Sequence, residues 1–185
     1  MSNSYNFDLV DEMAPDQVIN EVIKDIETDS RGYVSAHLAK YDGPIYSYKT
    51  TRETGLSAMS TLMTPKTIEV DIQDRLGELG NEEKKYELYL SVKGIEKYKY
   101  RIMFVAFGTI TYPVTIVLND DIADDIFSRF SYVQEVDSME DLNTLMQQVL
   151  SCHSLTKVIQ NLINEALRKE RKIEKEQQSP ENNGE

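Results

Sequence analysis

An α+β fold with one antiparallel sheet is predicted by two features of the sequence. From Thr67 to Leu118, apolar residues alternate through four consecutive short runs. These are Ile68, Val70 and Ile72; Tyr86, Leu88, Leu90 and Val92; Tyr100, Ile102, Phe104 and Ala106; and Val114, Ile116 and Leu118. Successive strand side chains point to opposite faces, so this alternation describes a sheet with one packed face. Segments with apolar stripes at helical spacing flank the block on both sides. Short connections between the runs favour antiparallel neighbours, giving a meander of about six strands covered by an N-terminal helix and C-terminal helices.

The first helix is expected over Pro15–Glu27. Proline suits the first helical position because its missing N–H would have no intrahelical partner there. Val18, Ile19, Val22, Ile23 and Ile26 share one arc of the wheel, and Asp16, Asn20, Glu21, Lys24 and Glu27 lie outside it. A hairpin of Tyr33–Tyr41 and Ile45–Thr51 follows across Asp42-Gly43-Pro44, where glycine permits a tight turn and Pro44 can open an edge strand. Thr54–Thr64 is ambiguous: Leu56, Met59, Leu62 and Met63 have helical spacing, but Ser57, Ser60 and Thr61 weaken it. Gly77, Gly80, Asn81, Gly94 and Gly108 mark the turns of the strand block.

The last third turns helical. A helix is expected over Asp120–Phe130, then a brief strand over Tyr132–Val136. A second helix starts at Ser138, with Asp141 placed as in a capping box and Leu142, Leu145, Met146, Val149 and Leu150 along one face. After a break at Ser151–Ser154, the longest helix carries Leu155, Val158, Ile159, Leu162, Ile163, Ala166 and Leu167 across a wide arc. One domain over residues 1–176 and a polar, disordered tail over 177–185 complete the expected organisation.

With 185 residues, the chain is long enough to bury roughly two-thirds of its surface. No run of about 18 apolar residues and no basic-then-apolar start is present, and there is a single cysteine, so a cytoplasmic protein is expected. The net charge is −12 and is unevenly spread. Residues 1–32 carry eight acidic and two basic side chains, and residues 119–153 carry eight and one. Such segments repel phosphate, so direct binding of duplex nucleic acid is disfavoured, whereas a basic protein surface suits them.

Four chemical possibilities follow from the residues. Asp120, Asp121, Asp124 and Asp125 occupy one side of a helix, and paired aspartates can hold Mg²⁺. The same wheel places Ile122, Ala123, Ile126, Phe127 and Phe130 on the other side, so the carboxylates face water and read first as a solvated helix start favoured by the backbone dipole. Cys152 and His153 are adjacent, but sequence neighbours do not face each other, and His37, the only other histidine, is remote in sequence. Tyr46 and Tyr48 share one strand face and Tyr98 and Tyr100 another, with Lys97, Lys99 and Arg101 interleaved. Such a face can serve binding, or simply reflect tyrosine's suitability for strands. Residues 168–172 look basic, but Glu165, Glu170, Glu174 and Glu176 interleave as helical ion pairs.

Two histidines and one cysteine cannot form a four-ligand Cys/His zinc site, and no phosphate-cradling glycine loop or nucleophile elbow is present. No cofactor is expected. The leading expectation is a non-enzymatic protein that acts by protein–protein contact through Asp120, Asp121, Asp124, Asp125, Asp137, Glu140 and Asp141. A variant is an inhibitor occupying the basic groove of a nucleic-acid-binding enzyme. A competing class is a Mg²⁺- or Mn²⁺-dependent enzyme using the Asp120–Asp125 cluster on phosphate esters, and a third is self-assembly through a sheet edge or the long helix.

Overall fold

A computed structural model describes residues 10–43, 45, 83–127 and 132–177. The expected strand Ile45–Thr51, the ambiguous Thr54–Thr64 segment, the run Ile68–Ile72 and the tail beyond Gln177 lie outside these residues, apart from Ile45. The elements in order are α1 (Pro15–Ile23), α2 (Ile26–Asp29), β1 (Val34–Lys40), β2 (Lys84–Val92), β3 (Ile95–Phe107), β4 (Val114–Leu118), α3 (Asp120–Ile126), β5 (Val133–Val136), α4 (Met139–Ser151) and α5 (His153–Gln177). The sheet is an antiparallel meander of five strands in the order β1-β2-β3-β4-β5. The fold class is therefore α+β as the sequence predicts, and five strands sit close to the expected six.

Several boundaries differ from the expected ones. The first helix is interrupted at Lys24–Asp25, although both residues keep helical dihedrals. Arg31 and Gly32 then take positive φ values of 58° and 76°, and the Gly32 N–H closes the end by donating to Glu27 O at 2.7 Å. The buried Ser30 hydroxyl joins this turn to β1, accepting from the Val34 N–H at 3.1 Å. The helix after β4 stops at Ile126 because Phe127 is extended. The expected four-residue break before the last helix is one residue, Cys152, and α5 begins at His153.

The largest correction concerns β3. The sequence places Tyr100, Ile102, Phe104 and Ala106 on one face. Instead, Tyr89 pairs with Arg101 and Leu88 with Met103, which leaves Ile102 as an extra residue in a bulge. Beyond it the alternation is inverted. Met103, Val105 and Phe107 join Leu88, Leu90, Val34, Ile116 and Leu118 in the main core, against α1, α4 and α5. Phe104 and Ala106 turn to the opposite face, where with Val117 and Ile45 they form a second small cluster flanked by Tyr41 and Val133. Six consecutive residues of β3, Ile102–Phe107, and all five of β4 are buried, so the sheet centre is packed on both faces rather than one.

The helical layer rests on the expected stripes. Val18, Ile19 and Ile23 of α1 and Leu142, Leu145, Met146 and Val149 of α4 are buried. On α5 only Leu155, Leu162 and Ala166 are buried, while Val158, Ile159, Ile163 and Leu167 are half-exposed, so it is less enclosed than its sequence implies. Its far end is pinned to the sheet by polar contacts. The Tyr33 hydroxyl donates to Glu170 at 3.0 Å, Lys93 pairs with Glu170 at 3.1 Å, and Lys169 donates to Gly94 O at 3.2 Å.

Candidate interaction surfaces

α3 leaves β4 through Asn119. The Asn119 side chain accepts from the Asp121 N–H at 3.1 Å, and its own N–H donates to Ile102 O at 2.8 Å, which ties the helix start to the β3 bulge. Ile122 and Ala123 are buried beneath it, and Asp120, Asp121, Asp124 and Asp125 are all exposed. Among the described residues, no ion pair involves any of the four. The Asp120 carboxyl is pushed above its ordinary range by partial burial, then by the like charges of Asp124 and Asp121.

Asp125 has a different task. Its Oδ2 accepts the Ser154 backbone N–H at 2.7 Å, in the first turn of α5. That bond holds the Asp125 carboxyl below its usual range, with His153 adding a smaller effect. Asp141 is likewise structural: Ser138 Oγ accepts from the Asp141 N–H at 3.1 Å and donates to the Asp141 carboxylate at 2.6 Å. Asp11 Oδ1 accepts the Met139 N–H at 2.7 Å at the same helix start. Asp137 and Glu140 are exposed beside it. The seven acidic candidates thus divide into two helix caps, Asp125 and Asp141, and five solvent-facing carboxylates. Among the described residues, no group of three or more His, Cys, Asp or Glu side chains converges as metal ligands would.

Tyr46 and Tyr48 lie outside the described residues. Tyr98 is 39% exposed near the tip of the β2–β3 hairpin. Tyr100 packs against the main core, and its hydroxyl is buried without a hydrogen-bond partner among the described residues. Burial pushes that phenol up to about 12, with Asp121 adding to it. Tyr98 and Tyr100 therefore do not present a shared exposed face.

Lys99 and Arg101 project from the other side of β3 onto a cluster that sequence reasoning missed. Its centre is Glu87, a carboxylate with 8% of its side chain exposed. Lys99 bonds one oxygen, and Arg101 Nε and Nη2 reach the other at 3.0 and 2.9 Å. Burial raises the Glu87 carboxyl, but the Lys99 and Arg101 bonds outweigh it and hold the group below its ordinary range. Aromatic rings surround the charges. Lys99 Nζ lies 3.9 Å from the Tyr89 ring centre, and the Arg101 guanidinium lies 4.5 Å from that of Phe104 and 5.8 Å from that of Tyr41. His37 stacks obliquely on Tyr89 at 5.2 Å and bonds Ser91 Oγ at 2.7 Å. Because the cations already cover the rings and Phe104 is buried, this face offers few free π surfaces on which bases could stack.

Cys152 is the joint between α4 and α5. Its Sγ accepts the Leu155 N–H at 3.4 Å, and its carbonyl accepts from the Thr156 hydroxyl at 2.9 Å. Burial pushes the thiol above its usual range. His153 is exposed at the start of α5. Among the described residues, no helix is long and apolar enough to cross a membrane. Comparison of the chain with protein-family models, curated proteins and solved structures gave no match.

Proposed function

We propose that the protein acts without catalysis, by protein–protein contact, and that Asp120, Asp121 and Asp124 form the centre of the contact surface. The observation that carries this reading is the lack of compensation at α3. Three exposed carboxylates stand together without an ion pair among the described residues, and the Asp120 carboxyl is raised by partial burial and then by the like charges of Asp124 and Asp121. A basic partner surface relieves that repulsion and is steered toward it by the field. Asp137 and Glu140 extend the same sign of charge at the start of α4. Asp125 and Asp141 support the surface as helix caps.

The test compares the wild-type chain with a variant carrying Asp120→Asn, Asp121→Asn and Asp124→Asn, with Asp125 kept. Both are used as bait in nuclease-treated lysate, and the retained partner is then titrated against each in purified form. The expected result is a discrete basic partner that is released as salt rises and is bound at least tenfold more weakly by the triple variant. Equal affinity for both baits at low salt overturns the reading.

A further inference from the structure

At the end of the sheet away from α3, three segments of the chain are held together. Val114, the first residue of β4, pairs with Val136, the last of β5, so the loop of residues 108–113 lies beside the start of α4. Residues 10–13 join both. Asp11, turned into the left-handed region at φ 53°, accepts the Met139 N–H on its Oδ1 at 2.7 Å. The Tyr112 hydroxyl donates to Met13 O at 3.2 Å.

This junction carries the two most exposed large apolar side chains among the described residues. Val10 and Ile110 each keep 79% of their surface in water, against 52% for Ile173 and 39% for Tyr98. Single apolar residues scattered over a surface are ordinary. These two instead border half-buried Met13, Tyr112 and Met139, which continue inward to the main core. Neither contributes to that core, so the fold itself gives no reason for an apolar residue at either position.

Carboxylates stand around them. Glu12, Asp137 and Glu140 are exposed, and Asp11 and Asp16 are half-exposed. The sheet's described cations at this end, Lys40, Lys84 and Lys85, belong to β1 and β2, and Lys85 pairs with Glu83 at 2.8 Å. An apolar centre within a polar rim is the anatomy of a contact surface, and the sign of the rim selects a basic partner. A second copy of the chain would bring the same carboxylates to the interface, so self-pairing is disfavoured.

We infer that residues 10–13, 110–112 and 137–140 form a second protein-contact surface. Its occupant is a partner segment that sets apolar side chains on Val10 and Ile110 and lysine or arginine against Glu12, Asp137 and Glu140. The length of β4 separates this surface from the start of α3 by roughly 14 Å, so the two stand or fall independently.

The test uses the full isotopically labelled chain carrying Asp120→Asn, Asp121→Asn and Asp124→Asn, so that α3 cannot contribute. A capped peptide, Lys-Leu-Lys-Lys-Leu-Leu-Lys-Lys-Leu-Lys, is added to millimolar concentration while backbone amide shifts are followed. Saturable shifts are expected at residues 10–12, 109–111 and 137–140. Adding Ile110→Ser weakens binding about fivefold or more without changing the melting temperature, since that side chain is exposed. A peptide with Ser in place of Leu loses a similar factor, and one with Glu in place of Lys does not bind. The inference is overturned if no saturable shift appears, if the shifts fall elsewhere, or if Ile110→Ser or either altered peptide binds equally. It is also overturned if light scattering shows a concentration-dependent mass that Ile110→Ser abolishes, which makes the occupant a second copy.

Discussion

Glu87 is the most consequential charged group in the described structure, and its energetics follow from an asymmetry in burial. The carboxylate is buried, while each of its two cations keeps about two-fifths of its side chain in water. Glu87→Gln removes the charge with little change in volume, and Lys99 and Arg101 can then rehydrate. The loss is the net value of charge-assisted hydrogen bonds, about 1–3 kcal/mol. The double variant Lys99→Met, Arg101→Met does the opposite, leaving a buried carboxylate without a counter-ion at a cost of about 3–5 kcal/mol. Adding Glu87→Gln to that double variant removes the stranded charge and recovers most of the loss. Urea unfolding at pH 7 with a constant m value measures all three differences. The sign with pH is also fixed. The folded-state carboxyl lies below its unfolded value, so its contribution is complete above about pH 4.5 and disappears as pH falls through the folded value. The Glu87→Gln variant should accordingly lose less stability than wild type over that acid range. The reasoning fails if the double cation variant is no less stable than Glu87→Gln, or if removing the carboxylate from it restores nothing.

Three further outcomes are expected. Asp125→Ala should lower the melting temperature by about 2–4 °C, because the Ser154 N–H loses its acceptor, whereas Asp124→Ala should leave it nearly unchanged; differential scanning calorimetry separates the two. Leu142→Ala, at a fully buried site on α4, should cost about 2–5 kcal/mol in urea unfolding. Cys152 should react with an aromatic disulfide reagent many times more slowly in the native chain than in denaturant, since the sulfur is buried and caps α5.

Much of the architecture was legible because local pattern and tertiary environment agree. Ser138 and Asp141 announce a helix start and make the expected pair, and the β2 and β4 alternations place Leu88, Leu90, Val114 and Ile116 correctly in the core. β3 defeated the pattern because Ile102–Phe107 is apolar at odd and even positions alike, so either face satisfies it and the bulge decides. The partner of β1 lay more than 40 residues downstream, beyond the reach of turn signals. Glu87 was hidden for a related reason. Counted from the Val92–Ile95 pair, an unbroken ladder sets Glu87 opposite Tyr100. The ladder slips by three residues before Leu90 and by one more before Leu88, which pairs Glu87 with Phe104 and sets Arg101 opposite Tyr89, and the long Lys99 and Arg101 side chains reach the carboxylate from there. The acidic helix was legible in position and exposure. The division of its aspartates between caps and free carboxylates was not, because Asp125 finds its donor 29 residues away.

The far end of α5 has a consequence for how the chain acquires its shape during synthesis. Between Asp125 near its start and the Lys169–Gly94 contact, α5 is a strut of about 24 Å between α3 and the tip of the β2–β3 hairpin. The Tyr33–Glu170 bond joins residues separated by 137 positions, and Lys93–Glu170 spans 77. A ribosome making this chain has released β1, β2 and β3 long before the residues that pin them emerge. The hairpin therefore exists first as an unpinned meander, and the last of the described helices is the one that fastens the first strand.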